Sequence, residues 1–504
     1  MKHRALSIIF LFSFYLSSAQ EVFFDVNDSD IFYNTERFII PKEYRTLAIN
    51  KSEIEKLLKE SNIESEVNVH ESNYLILLPF PNGENVLFRF VQAPIMSPIL
   101  SAKHPKIKTY LGESIDHKMT MRFNYNPELG FHAMIMGQTD VIFIDPYSLH
   151  NKNYIISYYK KDYENDTKRD FHEDPPISSS DYEEFLEYKA ANPIIQNINS
   201  GDELKSYRIA VACTQQYSNF HGGTTEETLD AIVTTMNRIN QVYETELAIR
   251  LILVDNNDSL INLSVSAGMS NYNTNQLINQ SQEVIDEIIG SENYDIGHTF
   301  STGAGGLASL GVPCNENEKA RGVTGTNSPV GDPYDIDYVA HEIGHQFGGN
   351  HTFNGTSGSC NGNRNEETAY EPGSGSTIMA YAGICSSQNL QSNSDPYFHA
   401  ASYDEIQYYI NSAWGQTCAI TTETGNSIPE ASIEKDNYII PVYTAFELDG
   451  VSYDIDEDEL SHSWEQMDLG PAGHPNSPTN NAPIFRVFNP TESTKRTFPR
   501  MSYL

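Results

Sequence analysis

The period of apolar and polar positions changes along the chain, and the changes mark its parts. Between residues 20 and about 160, runs such as Tyr74-Leu75-Ile76-Leu77-Leu78 and Val86-Leu87-Phe88-Arg89-Phe90-Val91 are broken by Pro79, Pro81-Asn82-Gly83 and Pro94. That is the pattern of strands and turns. Val141-Ile142-Phe143-Ile144-Asp145-Pro146 is the last clear strand of this part. Residues 161–204 turn polar, with Pro175-Pro176 and a serine run at 178–180, and predict an exposed linker. Within it Lys168-Arg169 reads as a processing point or equally as an ordinary solvated charge pair.

A different rhythm begins at Tyr207. Arg208 to Cys213 predicts a strand, and Thr224 with Glu227 three residues on forms a capping box. Leu229, Ile232, Val233, Met236, Ile239 and Tyr243 then recur at helical spacing. Leu251 to Val254 predicts a strand, 275–289 a helix, and Tyr294 to Phe300 another strand. Strand and helix in alternation predict an α/β (α+β) domain with a twisted mixed sheet. The glycine-rich run Gly303 to Gly311 carries no period and fits an edge strand. Asp332-Pro333 opens a further helix, with aspartate at the cap and proline in the first turn. Its apolar stripe, Ile336, Val339, Ala340, Ile343 and Phe347, predicts one face on the sheet and the opposite face toward a cleft. Residues 402–413 read as a closing helix, and 428–504 as short strands and turns of a partial β-sandwich that breaks off early.

That last long helix carries His341-Glu342-Ile343-Gly344-His345, followed by Phe347, Gly348 and His351. Histidines four apart on a helix lie about one turn apart on one face, so both imidazoles reach one ion. Gly348 is the residue type that tolerates a left-handed turn, which would bring His351 to the same ion. Three nitrogen ligands with one position left for water are the mark of a catalytic rather than a structural zinc. Glu342, beside His341, is placed to take a proton from that water.

Composition narrows the partners. Among 504 residues, Lys and Arg number 32 against 68 Asp and Glu, a formal net charge of −36, which disfavours nucleic acid and anionic membrane surfaces. Lys2 and Arg4, an apolar run from Leu6 to Leu16 and Ser17-Ser18-Ala19 read as a secretory signal peptide, residues 1–19. No later stretch predicts a transmembrane segment. Export permits disulfides, and five cysteines, Cys213, Cys314, Cys360, Cys385 and Cys418, leave one over.

The extended histidine motif together with Met379 resembles the metzincin zinc peptidases, which follow that motif with a methionine turn. Tyr207 to Cys213, Tyr294-Asp295-Ile296-Gly297-His298, the Gly303 to Gly311 run and Ser376 to Cys385 are more specifically similar to the bacterial reprolysin-like branch, related to the snake-venom and ADAM peptidases. The resemblance covers residues 205–424 as a catalytic domain, and 20–160 look like the propeptide of such secreted zymogens. It implies Zn²⁺ on His341, His345 and His351, Glu342 as catalytic base and Met379 as the floor beneath the metal. Gly306, Leu307, Ala308, Ser309 and Leu310 would be the edge strand that pairs with an extended protein or peptide substrate. Cys314 would pair with Cys418 and Cys360 with Cys385, with Cys213 left as a buried thiol.

Two departures stand out. Tyr381, the second residue after Met379, takes the place of the proline usual in the venom-type enzymes. It is similar instead to the astacin and serralysin tyrosine, a fifth ligand that swings away to stabilise the oxyanion; the alternative is a core tyrosine. The propeptide also lacks the cysteine that holds zinc latent in some relatives, so inhibition by the chain's own propeptide needs another ligand or simple occlusion. In the tail, Asp454, Asp456 and Asp458 alternate like a Ca²⁺ loop, with Glu465 at the twelfth position, but Glu459 stands where an EF-hand needs glycine. A calcium-binding sandwich loop and a solvated acidic turn both remain open. His221 and His298 lie off the motif and read as structural. The rival to a peptidase is a non-catalytic extracellular binding or adhesion protein that keeps the fold, against which the intact Glu342 and histidines speak.

Overall fold

The computed structural model describes residues 22–32, 35–137, 140–163, 171–178, 182, 199–261, 268–303, 305–435 and 437–499. The expected signal peptide and the pair Lys168-Arg169 lie outside these. Two compact units divide the chain, 1–95 with 101–164, and 96–100 with 165–504.

The first unit is an antiparallel sheet of nine strands: β1 (Phe23–Asp25), β2 (Arg45–Ile49), β3 (Leu75–Pro79), β4 (Asn85–Gln92), β5 (Lys108–Ser114), β6 (Met119–Asn126), β7 (Gly130–Gly137), β8 (Ile142–Pro146) and β9 (Tyr154–Tyr159). Their order is β1-β2-β9-β8-β7-β6-β5-β4-β3. The sheet curls into a nearly closed barrel, since Ser157 on β9 donates to the Pro79 carbonyl on β3 at 2.7 Å. Alternate side chains turn inward as a pleat requires. Phe88, Phe90, Tyr110, Phe123 and Phe131 are buried together, with Tyr110 stacked on Phe123 at 4.5 Å. Helix α1 (Lys51–Glu60), capped by the Asn50 side chain, adds Ile54 and Leu58 to this core.

In the second unit, β10 (Ile177–Ser178), β11 (Glu203–Cys213), β12 (Ile249–Leu253), β13 (Ile296–Ser301), β14 (Gly306–Leu310) and β15 (Gly322–Gly325) form a mixed sheet ordered β10-β14-β15-β13-β11-β12. Only the β14–β15 pair within this order is antiparallel, and β16 (Ile420–Glu423) joins β11 antiparallel. Helix α2 (Thr225–Leu247) starts where the capping box predicts, Thr224 accepting from the Glu227 amide, and α3 (Thr274–Ile289) matches the second periodic stretch. α2 backs the sheet through Asn240, whose side-chain amide exchanges two hydrogen bonds with Leu251 on β12.

The helix expected from Asp332 is built differently. Pro333–Ala340 winds as a π-helix before α4 (His341–Gln346), and Asp332 is itself helical (φ −48°, ψ −50°) without a capping side-chain bond. The segment is buried on every side rather than along one stripe. The polar positions are absorbed by pairing, since Asp335 accepts from Thr235 (2.7 Å) and Arg238 (2.8 Å) on α2. α5 (Ala400–Ser412) closes the module. The tail is one three-stranded antiparallel sheet, β17 (Glu430–Ile433), β18 (Phe446–Tyr453) and β19 (Lys495–Phe498), and a second packed layer is not among the described residues. Its loops reach back onto the module, where Arg364 donates to the Gly470 carbonyl at 3.0 Å.

Candidate metal centre

α4 carries His341 and His345 with rings 4.6 Å apart, and the chain turns at Gly348 (φ +97°), a conformation that disfavours any Cβ. The Gly348 amide bonds the His345 carbonyl and the Gly349 amide that of Gly344, so the turn is tied to the helix it ends. His351 then arrives with its ring 4.6 Å from His345 and 5.3 Å from His341.

The three imidazoles are locked from behind. Each Nδ1 lies against a backbone carbonyl: Ile378 at 2.6 Å for His341, Gly349 at 2.6 Å for His345 and Asn363 at 2.7 Å for His351. A carbonyl only accepts, so each Nδ1 holds a proton, and in the neutral form that binds a metal each ring would present the lone pair of Nε2. The Nε2 atoms converge, 3.3 Å between His341 and His351 and 3.0 Å between His345 and His351. Lone pairs facing at such distances repel unless a cation lies among them, which is the donor set of a metal site. Burial pushes His345 down to about 3, keeping it a neutral donor.

Met379 packs against α4 at Gly344. A Cβ added at Gly344 would lie 2.5 Å from the Met379 sulfur, so the glycine inside the histidine motif is what lets the methionine approach. Behind the helix, buried His298 bonds Gln346 (2.8 Å) through Nδ1 and Thr324 (2.9 Å) through Nε2. It ties α4 to the sheet and stays away from the metal cluster.

Glu342 is buried, and neither carboxylate oxygen has a hydrogen-bond partner among the described residues. Burial, with the charges of Glu173 and Asp174, holds it well above the usual carboxylate range. It lies against β14, because a Cβ at Gly306 would overlap its carboxylate. Tyr381 is buried with its ring 4.7 Å from His351 and 5.7 Å from His341. Among the described residues its hydroxyl has no aligned hydrogen-bond partner, and burial together with the charges of Glu173 and Glu342 pushes its pKa well up.

A family model, the reprolysin-like metallopeptidases of family M12B, matches residues 204–409. These residues are a reprolysin-like metallopeptidase domain. A search of curated proteins found no match. The reprolysin-like domain holds both expected disulfides, Cys314–Cys418 and Cys360–Cys385, and leaves Cys213 buried and free with its thiol pushed up to about 12 by burial. Cys360–Cys385 links the loop after His351 to the turn after Tyr381.

One member of the centre escaped the sequence. Glu173 is buried, and its Oε1 lies 3.2 Å from Nε2 of His341, 3.2 Å from that of His345 and 2.9 Å from that of His351. Residues 171–178, read from composition as exposed linker, therefore include a metal-site residue. The only signals were its flanking Phe171 and the proline pair that follows. In the tail, Asp454, Asp456 and Asp458 do gather, but Asp454 accepts from the Asp456 amide at 2.8 Å as in a closed turn. Glu465 is elsewhere, accepting from Tyr397 (2.7 Å) and the Ala400 amide (2.7 Å).

Proposed function

We propose that the chain is a secreted zinc endopeptidase made as a proenzyme. The observation that carries this is the convergence of three Nε2 atoms, each ring fixed by a carbonyl behind it, beside a buried carboxylate, Glu342, that has no hydrogen-bond partner among the described residues. His341, His345 and His351 would hold Zn²⁺, which when bound supplies a Lewis acid that lowers the pKa of water toward about 7 and polarises a carbonyl oxygen. Glu342 takes the proton of the attacking water and returns it to the departing amine. The Tyr381 hydroxyl, close to both carboxylates and free of an aligned partner, donates to the oxygen that gains charge. β14 pairs with an extended peptide through its main chain, and the absence of a side chain at Gly306 keeps the base within reach of that peptide. Two disulfides suit an oxidising compartment, and no helix among the described residues is long and apolar enough to cross a membrane.

The test is hydrolysis of an unfolded protein by the purified, processed chain. Activity should vanish with a chelator and return with zinc. Glu342→Ala should lose roughly 10²–10⁴-fold in kcat while keeping one metal per chain. An undiminished Glu342→Ala enzyme would refute the mechanism, and a processed wild type that holds zinc but cleaves nothing would favour a binding protein.

A further inference from the structure

We propose that Glu173 is a fourth metal ligand supplied by the chain itself, and that residues 171–178 keep the peptidase closed until a cut falls C-terminal to Glu173. The inference rests on the zinc-peptidase reading above and adds its regulation.

A single carboxylate oxygen about equally far from three imidazole nitrogens is placed as a ligand on a shared ion rather than as a hydrogen-bond acceptor. Each Nδ1 already carries a proton, so a ring in the neutral form that binds a metal has none at Nε2 to donate toward Glu173. An anion and three lone pairs are reconciled by a divalent cation, and the carboxylate then fills the position a catalytic site reserves for water.

The main chain around Glu173 also occupies the edge that a substrate would use. The Gly306 amide donates to the His172 carbonyl at 3.1 Å and the Asp174 amide to the Gly306 carbonyl at 3.3 Å. Further on, Ile177 and Ser178 pair in parallel with Ser309 and Leu310. Between these contacts the segment advances four residues, Glu173 to Ile177, while β14 advances three, Gly306 to Ser309. The extra residue falls at Pro175-Pro176, which have no amide to give to the ladder.

Further contacts pin the N-terminal half of the segment. Phe171 stacks on Tyr338 with centroids 3.7 Å apart and planes 7° from parallel. Thr274 donates to the Asp174 carboxylate at 2.9 Å, and the Asn363 side-chain amide to the Glu173 carbonyl at 3.0 Å. Asn363 is also the residue whose own carbonyl orients His351, so one residue holds both a ligand and its cap. No cysteine precedes Cys213, so a carboxylate stands where a thiolate could otherwise do this work.

The experiment uses the full uncut chain in a Glu342→Ala background, which prevents self-cleavage, loaded with Co²⁺. Its visible spectrum and its affinity for acetohydroxamic acid are compared with those of the same chain carrying Glu173→Ala or the near-isosteric Glu173→Gln. The expected result is a changed cobalt spectrum and at least tenfold tighter hydroxamate binding in both variants, with melting curves confirming the fold; if Glu173→Ala melts early, Glu173→Gln decides. Unchanged spectrum and affinity with cobalt bound one to one would overturn this inference while leaving the peptidase reading intact. A chain that takes up no cobalt despite its three histidines would overturn both.

Discussion

At the scale of single residues, the centre depends as much on side chains that are absent as on those present. Gly344 sits inside the histidine motif because Met379 occupies the space its Cβ would need. Gly344→Ala should therefore cost about 1–3 kcal/mol, the usual range for overpacking a filled core, and should weaken zinc retention as the floor shifts. A thermal melt with a chelator competition checks both, and an unchanged protein would show that Met379 has room to move aside. Tyr381 presents the opposite case, a buried hydroxyl without an aligned partner beside two carboxylates. If it donates to the developing oxyanion, Tyr381→Phe should lower kcat by about 10²-fold with KM and metal content little changed. If it is a core tyrosine only, kcat will stay near wild type.

At the scale of elements, His298 joins α4 to the sheet and gives that junction a pH dependence. Burial lowers its pKa from 6.5 to about 4. The unfolded chain then binds the proton first as pH falls. The contribution is fully present above pH 6.5 and is lost progressively down to about 4, on the order of 3 kcal/mol in all. Denaturant titrations across that window should show a shallower fall in stability for His298→Asn than for wild type, and parallel slopes would assign the pH dependence to other groups. The elements at this junction also show what a sequence can carry. α2 was legible because Thr224, Glu227 and a regular apolar stripe are local signals. The histidine motif was legible because its spacing is itself the geometry. The π-helical lead into that motif was not, since Asp332-Pro333 looks like an ordinary opening and the burial of Asp335 depends on Arg238, 97 residues earlier. In the tail the strand-like runs do form a small sheet, but such runs alone do not say how many layers pack together.

At the scale of the whole molecule, the polar stretch before the catalytic domain is where local reading failed and where the strongest consequence lies. Glu173 lies 168 residues before His341, and a lone glutamate among charged neighbours reads as a solvated face unless its distant partners are known. On the proposed reading, its position constrains how a proenzyme would be opened. Lys168-Arg169 is N-terminal to Glu173, so a cut there frees the barrel unit's chain but leaves the carboxylate, its β14 pairing and the Phe171 stack attached to the catalytic domain. Full activation then requires a second cut beyond Ser178, before β11 takes its place in the central sheet at Glu203. Mass spectrometry of the secreted enzyme should place the mature N-terminus in that interval. A chain cleaved only at Arg169 should remain at least tenfold less accessible to a hydroxamate than the fully processed form. A fully active enzyme whose N-terminus is residue 170, still carrying Glu173, would show that the segment leaves the metal after the first cut and that its own contacts do not keep the site closed.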